Sequence, residues 1–515
     1  MSLATPLQRK HELVTRKQNQ LFLRKPLKML LEEARGENRL RRILGPVQLT
    51  ALGVGAIIGA GIFVATGQAA RNTAGPALML SYCVAGMTCV FAALCYAEFA
   101  SMVPVAGSAY TYSFATMGEL FAWIVGWDLV LEYAVGSATV ANGWSGYFQT
   151  LLPKIGIHLP AAFAGPPIVY DDALGRFVQT EGIVNLPAVI VVGIVTYVLV
   201  KGIQESASFN ALMVGVKVAA VLFVIMVGAF FIDPDNWRPF APFGWTGLNM
   251  FGFHVAGQAD AGGQPVGMLA GAAIIFFAYI GFDSVSTHAE EAKRPNRDVP
   301  IGIIASLLIC TVLYIAVVAV LTGMVPYTQI DPSAGVSSAF KVAGLAWAEV
   351  IISIAGVAGI TSVLLVMMLS GPRVFLAMAR DGLVPKEFFG DVHPRFRTPW
   401  KSTMLIGAFV AILAGFLPLG ALLHLTNIGT LLAFVIVCSA VLIMRRMHPE
   451  AERPFRCPWV PAVPILGILS CLMLMFSLPA ANWWRLAGWL AIGLVIYFLY
   501  GRHHSIVARE AARHA

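Results

Sequence analysis

Apolar residues gather along this chain into twelve runs parted by polar connections. They lie at approximately 47–70, 76–99, 117–148, 183–201, 206–232, 267–288, 301–325, 345–378, 401–418, 421–444, 461–478 and 483–501. A helix needs about 20 mainly apolar residues to cross the hydrocarbon core of a bilayer. Each run reaches roughly that length, so the pattern predicts an all-α polytopic membrane protein with 12 transmembrane helices. The third and eighth runs are long enough to tilt or to extend past the bilayer.

Two runs are interrupted. The first contains Gly-Val-Gly-Ala-Ile-Ile-Gly-Ala-Gly-Ile-Phe-Val over 53–64. A glycine inside a helix costs about 1 kcal/mol relative to alanine, so Gly59 and Gly61 mark a point where the helix comes apart. The spacing of Gly55 and Gly59 also permits close helix packing. The sixth run reads Ile-Ile-Phe-Phe-Ala-Tyr-Ile-Gly-Phe-Asp-Ser, with Gly281 and a charged Asp283 inside apolar sequence. Unwound backbone at bilayer depth is tolerated where it is buried in protein or lines a cavity. Matching interruptions in two halves of a chain point to an inverted-repeat transporter with its site near the midplane. The expected domains are a basic N-terminal arm (1–46), a first repeat of helices 1–5 (47–232), an inverted second repeat of helices 6–10 (267–444), helices 11–12 (461–501) and a tail (502–515).

Charge sharpens this picture. Hydrophobic residues make up 58% of the 515 and charged residues only 12%, with a mean hydropathy of +0.76, whereas soluble domains carry about 25% charged residues. With the N-terminus placed inside, the cytoplasmic regions hold 27 of the 35 Lys and Arg and the external regions six, Lys217 and Arg373 falling within helices. Positive residues concentrate on the cytoplasmic side, which predicts that both termini are cytoplasmic. The net charge of +8 therefore follows topology and implies no nucleic-acid partner. Within the arm, Leu27–Leu44 reads either as a basic amphipathic helix on anionic lipid or as a disordered basic tail.

The ten histidines and seven cysteines show no metal-ligand spacing, and no nucleophile or acid–base set is clustered. This argues against a membrane enzyme and predicts neither a metal nor a cofactor beyond a coupling ion. The cysteines fall mostly in apolar runs and read as small packing residues. Lys217 is the exception among the polar positions, because a lysine at a helix centre costs about 2.5–3.5 kcal/mol on insertion scales.

Several blocks, taken in order, carry a resemblance. They are Gly55-Ala-Ile-Ile-Gly-Ala-Gly-Ile-Phe, Tyr96-Ala-Glu98, Pro104-x-Ala-Gly-Ser-Ala-Tyr110-x-Tyr112, Gly118-Glu119, Gly126-Trp127-Asp-Leu-Val-Leu-Glu132-Tyr, Phe277-Ala-Tyr-Ile-Gly-Phe-Asp283, Glu290-Glu291-Ala-Lys-Arg-Pro295 and Arg380-Asp381-Gly-Leu-Val-Pro385. The set, over about 45–445, resembles the amino acid–polyamine–organocation superfamily, in particular its cationic amino acid transporter branch with its proton-coupled bacterial members.

The resemblance implies the fold of the sodium-coupled leucine transporter and a zwitterionic L-amino acid substrate. Its carboxylate would meet the amides of Gly59, Ala60 and Gly61. Its ammonium would meet the carbonyls of Ile57, Phe277, Ala278 and Ile280. Helix N-termini attract anions and C-terminal carbonyls attract cations, so the chemistry suits that placement. Lys217 would stand where sodium binds in the leucine transporter, near Gly53 and the Ser362 hydroxyl, which implies proton symport by alternating access. Glu132 either faces the substrate pocket and favours a cationic side chain or makes a structural hydrogen bond. Met367 either lines and limits the side-chain pocket or fills core. Glu98, Glu119 and Asp128 are assigned to gating or packing, and Asp283 to anchoring the unwound stretch. Rival readings are an amino acid exchanger or a sodium symporter, and more distantly a transport-like receptor or channel.

Overall fold

The computed structural model describes residues 20–26, 44–102, 108–171, 176–202, 207–251, 253–287 and 292–514. The surface helix expected at Leu27–Leu44, save its last residue, lies outside the described residues, as do Glu290, Glu291 and the block from Val103 to Gly107.

The chain is mostly helical, and helix occupies every one of the twelve apolar runs. Among the described residues, seven helical stretches are long and apolar enough to cross a membrane, including Pro46–Met102, Glu119–Ile155 and Ala346–Arg380. Shorter apolar helices cover Leu186–Lys201, Met268–Tyr279, Trp400–Phe416 and Ala462–Phe476. Mean side-chain polarity differs little around most of these helices, as expected where both lipid and protein neighbours are apolar.

Both interruptions are present as breaks. The first helix, Pro46–Ile57, ends where Ile58 turns extended (φ −71°, ψ 106°). The chain resumes in a wide turn, Gly61–Ala65. In the sixth run, Met268–Ile275 tightens into the turn Phe276–Tyr279, after which Ile280 is extended (φ −58°, ψ 132°). Gly281 then sits at φ +119°, a conformation that residues with a β-carbon rarely adopt. A short helix, Ser284–Thr287, continues the run.

The two breaks lie against each other. A β-carbon at Gly281 would stand 2.9 Å from the Ala56 carbonyl oxygen, and one at Gly61 would collide with the Cα of Ala278. Helix 7, Pro295–Met324, packs on helix 2, Leu78–Met102, and on Pro46–Ile57. Helix 8, Ala346–Arg380, packs along helix 3, Glu119–Leu151. Helix 9, Trp400–Phe416, packs on helix 4, Leu186–Lys201, and helix 10, Leu419–Met447, on helix 3.

Two polar connections hold strands that the apolar pattern does not signal. The strands Ile168–Asp171 (β1) and Arg176–Gln179 (β2) form an antiparallel hairpin between helices 3 and 4. A three-stranded antiparallel sheet of Gly247–Met250 (β3), Phe253–Ala259 (β4) and Pro265–Val266 (β5) precedes helix 6. Both border a cavity at the Leu151 end of helix 3, whereas residues 20–26 and the chain leading into the C-terminal helix Ile506–His514 bond at its Glu119 end, on the opposite face.

Candidate functional site

The helix ladder of the first run stops where the Ile58 N–H bonds the Val54 carbonyl, and it restarts where Phe63 N–H bonds Gly59 O. The first amides of a helix have no partner within it. Ala60, Gly61 and Ile62 therefore present such amides at the break, beside Ala278 of the second break. A β-carbon on Gly59 would come within 2.5 Å of Val363 on helix 8. The residues expected to hold a zwitterion are thus brought together, all of them buried.

A residue that the sequence did not single out joins the two breaks. The Tyr314 hydroxyl on helix 7 lies 2.8 Å from the Ile57 carbonyl and 3.2 Å from that of Ala278. Both are among the four carbonyls expected to receive an ammonium. A hydroxyl has one proton to donate and each carbonyl has two lone pairs, so Tyr314 shares these acceptors and leaves room for a second donor. Its ring packs edge-on to Tyr82 at 5.5 Å and against Tyr279 at 5.6 Å. The Tyr82 hydroxyl pairs with that of Thr66 at 2.7 Å, just past the first break. The only sequence signal was a tyrosine within the apolar seventh run.

Lys217 is 1% exposed. Its Nζ donates to the Gly55 carbonyl at 2.6 Å, and its stem passes over Gly359 of helix 8. The bond described thus runs to Gly55 rather than to the expected Gly53. Residues two apart on a helix lie about 200° apart around its axis. Gly53 accordingly turns to Ser306 and Val285, and Gly55 to Val214 on helix 5 (Ala207–Gly228), one turn before the lysine. Ser362, the other expected partner, has its hydroxyl 3.2 Å from the Gly359 carbonyl of its own helix.

Glu132 is buried beside the Thr430 hydroxyl of helix 10, with Asp128 and Asp283 in its surroundings. Its Oε2 has no hydrogen-bond partner among the described residues. The Tyr133 hydroxyl reaches Asp283 Oδ2 at 3.4 Å. Asp128 packs on Gly429, whose lack of a side chain gives the carboxylate its space. Met367 is buried, with its sulfur facing Gly136, one turn from Glu132 on helix 3.

The face carrying residues 20–26 holds buried ion pairs. Lys25 Nζ lies 3.0 Å from Asp381 Oδ1, and Tyr110 donates to Asp381 Oδ2 at 2.7 Å. Glu119 receives the hydroxyls of Tyr497 and Ser505. Glu98 takes Arg445 at 2.7 Å, Arg453 at 3.3 Å and the Cys457 N–H at 2.8 Å. On the opposite face a cavity of about 810 Å³ descends to Asn142, Ile274 and Leu423, and Ile274 is one helical turn from Phe277. Among the described residues no group of His, Cys, Asp and Glu has metal-site geometry, and six of the seven cysteines are buried.

Comparison with known proteins decides the class of machine that this geometry serves. The family model described as amino acid permease matches residues 44–498. The chain belongs to that family. This permease is 46% identical over 486 residues to the branched-chain amino acid permease BcaP of Bacillus subtilis, covering 94% of this chain and 98% of that one. It is 44% identical over 487 residues to the methylthioribose transporter of the same organism, covering 95% and 99%. It is also 32% identical over 590 residues to the vacuolar cationic amino acid transporter 4 of Arabidopsis thaliana, covering 92% and 94%. The permease is accordingly a multi-pass membrane protein, and its relatives are transporters rather than enzymes.

Proposed function

We propose that this permease is a proton-coupled L-amino acid symporter of the bacterial inner membrane, with twelve spans, both termini cytoplasmic and an alternating-access cycle. The observation that carries the coupling is the buried Lys217, fixed by a 2.6 Å bond to Gly55 on the first half of the broken helix 1 and packed on Gly359 of helix 8. A charge bound between two elements that must separate ties its protonation to their arrangement. An ammonium in that position also leaves no room for sodium, which argues against the sodium symporter.

The packing supports an inverted repeat of helices 1–5 and 6–10. Exchanging helix n for n + 5 maps the pairs 2–7, 3–8 and 4–9 onto themselves, and all three are packed. The same exchange relates 1–7 to 6–2 and 3–10 to 8–5, and these pairs are packed too. The face with Lys25 and Asp381 is then the cytoplasmic one, and the open cavity faces outward.

The substrate's main-chain groups are assigned to the amides at Gly59–Gly61 and the carbonyls of Ile57, Phe277, Ala278 and Ile280. The names of the two Bacillus relatives, a branched-chain amino acid permease and a methylthioribose transporter at almost equal identity, show that overall similarity does not choose the cargo. The paired breaks favour a zwitterion. We assign the side-chain end to Met367 and Glu132, with small neutral, branched and cationic L-amino acids as the class.

Uptake of radiolabelled L-leucine, L-alanine and L-arginine into proteoliposomes tests this reading. An inward proton gradient should drive accumulation without sodium, and a protonophore should abolish it. Uptake indifferent to the proton gradient would overturn symport in favour of exchange.

A further inference from the structure

The outer cavity contains polar groups that the proposed midplane site does not use. Asn482, near the start of helix 12 (Ala480–Ile496), is 1% exposed and lines the cavity. Its Nδ2 donates to the His424 carbonyl at 2.9 Å, which fixes the amide's orientation. Among the described residues its Oδ1 is left buried without a partner, as is Nδ1 of His424, another lining residue. One turn on, Arg485 also lines the cavity, close enough for its charge to act on His424. Among the described residues Arg485 makes no ion pair.

Two helices begin at this place. Helix 10 starts at Leu419 and helix 12 at Ala480, and residues of both first turns line the cavity. Their partial positive ends add to the guanidinium. Donors for an anion therefore stand next to a buried acceptor. A simple inorganic anion would satisfy Arg485 and leave the Asn482 oxygen unpaired, which is costly when buried. A ligand that carries a carboxylate and an ammonium on the same carbon satisfies both.

We propose that His424, Asn482 and Arg485 form a second site for an α-amino acid in the outer cavity, which receives the substrate before it passes to the breaks. This rests on the transport reading above, but it shares no residue with the midplane site. Helix 12, outside the repeat, thereby gains a part in recognition. Arg485 takes the carboxylate, and Asn482 Oδ1 accepts from the ammonium.

The test measures initial uptake of L-leucine and L-arginine by the full chain in proteoliposomes, for the wild type and for Arg485→Gln, Arg485→Lys and Asn482→Leu. Arg485 is exposed, so its replacement leaves packing intact, and unchanged thermal unfolding of that variant verifies this. Arg485→Gln should raise KM about threefold to tenfold, the range of one charge-assisted hydrogen bond partly screened by water. The turnover number should stay within about twofold, and Arg485→Lys should restore part of the loss. Inhibition by L-leucinamide, which lacks the carboxylate, should be unaffected by Arg485→Gln. An unchanged KM in Arg485→Gln, or an equal shift for L-leucinamide, overturns the second site while transport stands. Wild-type vesicles that take up neither amino acid overturn the transport reading itself.

Discussion

Tyr314→Phe separates the two duties of the carbonyls at the breaks. The substitution keeps the ring and its contacts with Tyr82 and Tyr279. It removes only the hydroxyl that lies 2.8 Å from Ile57 O and 3.2 Å from Ala278 O. One proton serves both, so a single good bond to Ile57 is lost, together with a weaker share in the other. A hydrogen bond contributes about 0.5–1.5 kcal/mol net, and a buried acceptor left unpaired costs about 1–3 kcal/mol. The substrate-free variant should therefore be less stable by about 1–3 kcal/mol. With substrate bound, the ammonium fills the vacated acceptors and cancels much of that cost. The variant should then gain more from ligand than the wild type does, by up to about tenfold in affinity. Thermal unfolding of the purified protein, followed by tryptophan fluorescence across an L-leucine titration, measures both quantities. A variant whose ligand-induced stabilisation falls along with its basal stability would refute the shared-acceptor reasoning. An unaltered basal stability would show that the hydroxyl satisfies neither carbonyl.

Other substitutions probe the remaining elements. Gly281→Ala forces a β-carbon at φ +119° to within 2.9 Å of the Ala56 carbonyl; strain of about 1–3 kcal/mol should lower the unfolding temperature and abolish uptake, and wild-type uptake would show that the break tolerates a side chain. Glu132→Gln removes a buried carboxylate with an unpartnered oxygen; it should lower the kcat/KM for L-arginine relative to L-leucine by about tenfold, whereas an equal effect on both would assign Glu132 to structure. Met367→Ala should shift preference toward larger side chains, read as the KM ratio of L-leucine to L-alanine. Asp381→Asn weakens the buried pair with Lys25 and should raise labelling of cysteines introduced on the face that carries this pair, with unchanged labelling arguing against a gate there.

The helices and their approximate limits were legible because each crossing needs an apolar run, and few other constraints act on a lipid-facing side chain. Both breaks were legible because glycine and Asp283 are conspicuous in that background. The register of Lys217 was not. A choice between Gly53 and Gly55 depends on the rotation of helix 1, and its apolar surroundings hold no periodic signal to fix it. Tyr314 was hidden for a related reason: a tyrosine in an apolar run resembles packing until its hydroxyl is seen to meet two carbonyls. The small sheet of β3–β5 escaped because its strands are short and the apolar side chains of β4, such as Phe253 and Val255, stay exposed rather than pack on a core. Asn482 and Arg485 lie in helix 12, where the repeat supplied no counterpart to compare.

Proton movement during substrate entry tests the central claim most directly. Proteoliposomes loaded with a pH-sensitive dye should acidify inside when L-leucine is added outside, with no sodium present and the membrane potential clamped. Lys217→Ala vesicles, still able to bind or exchange L-leucine, should show no such acidification. Substrate uptake without acidification in the wild type, or the same acidification in Lys217→Ala, would contradict coupling through this lysine.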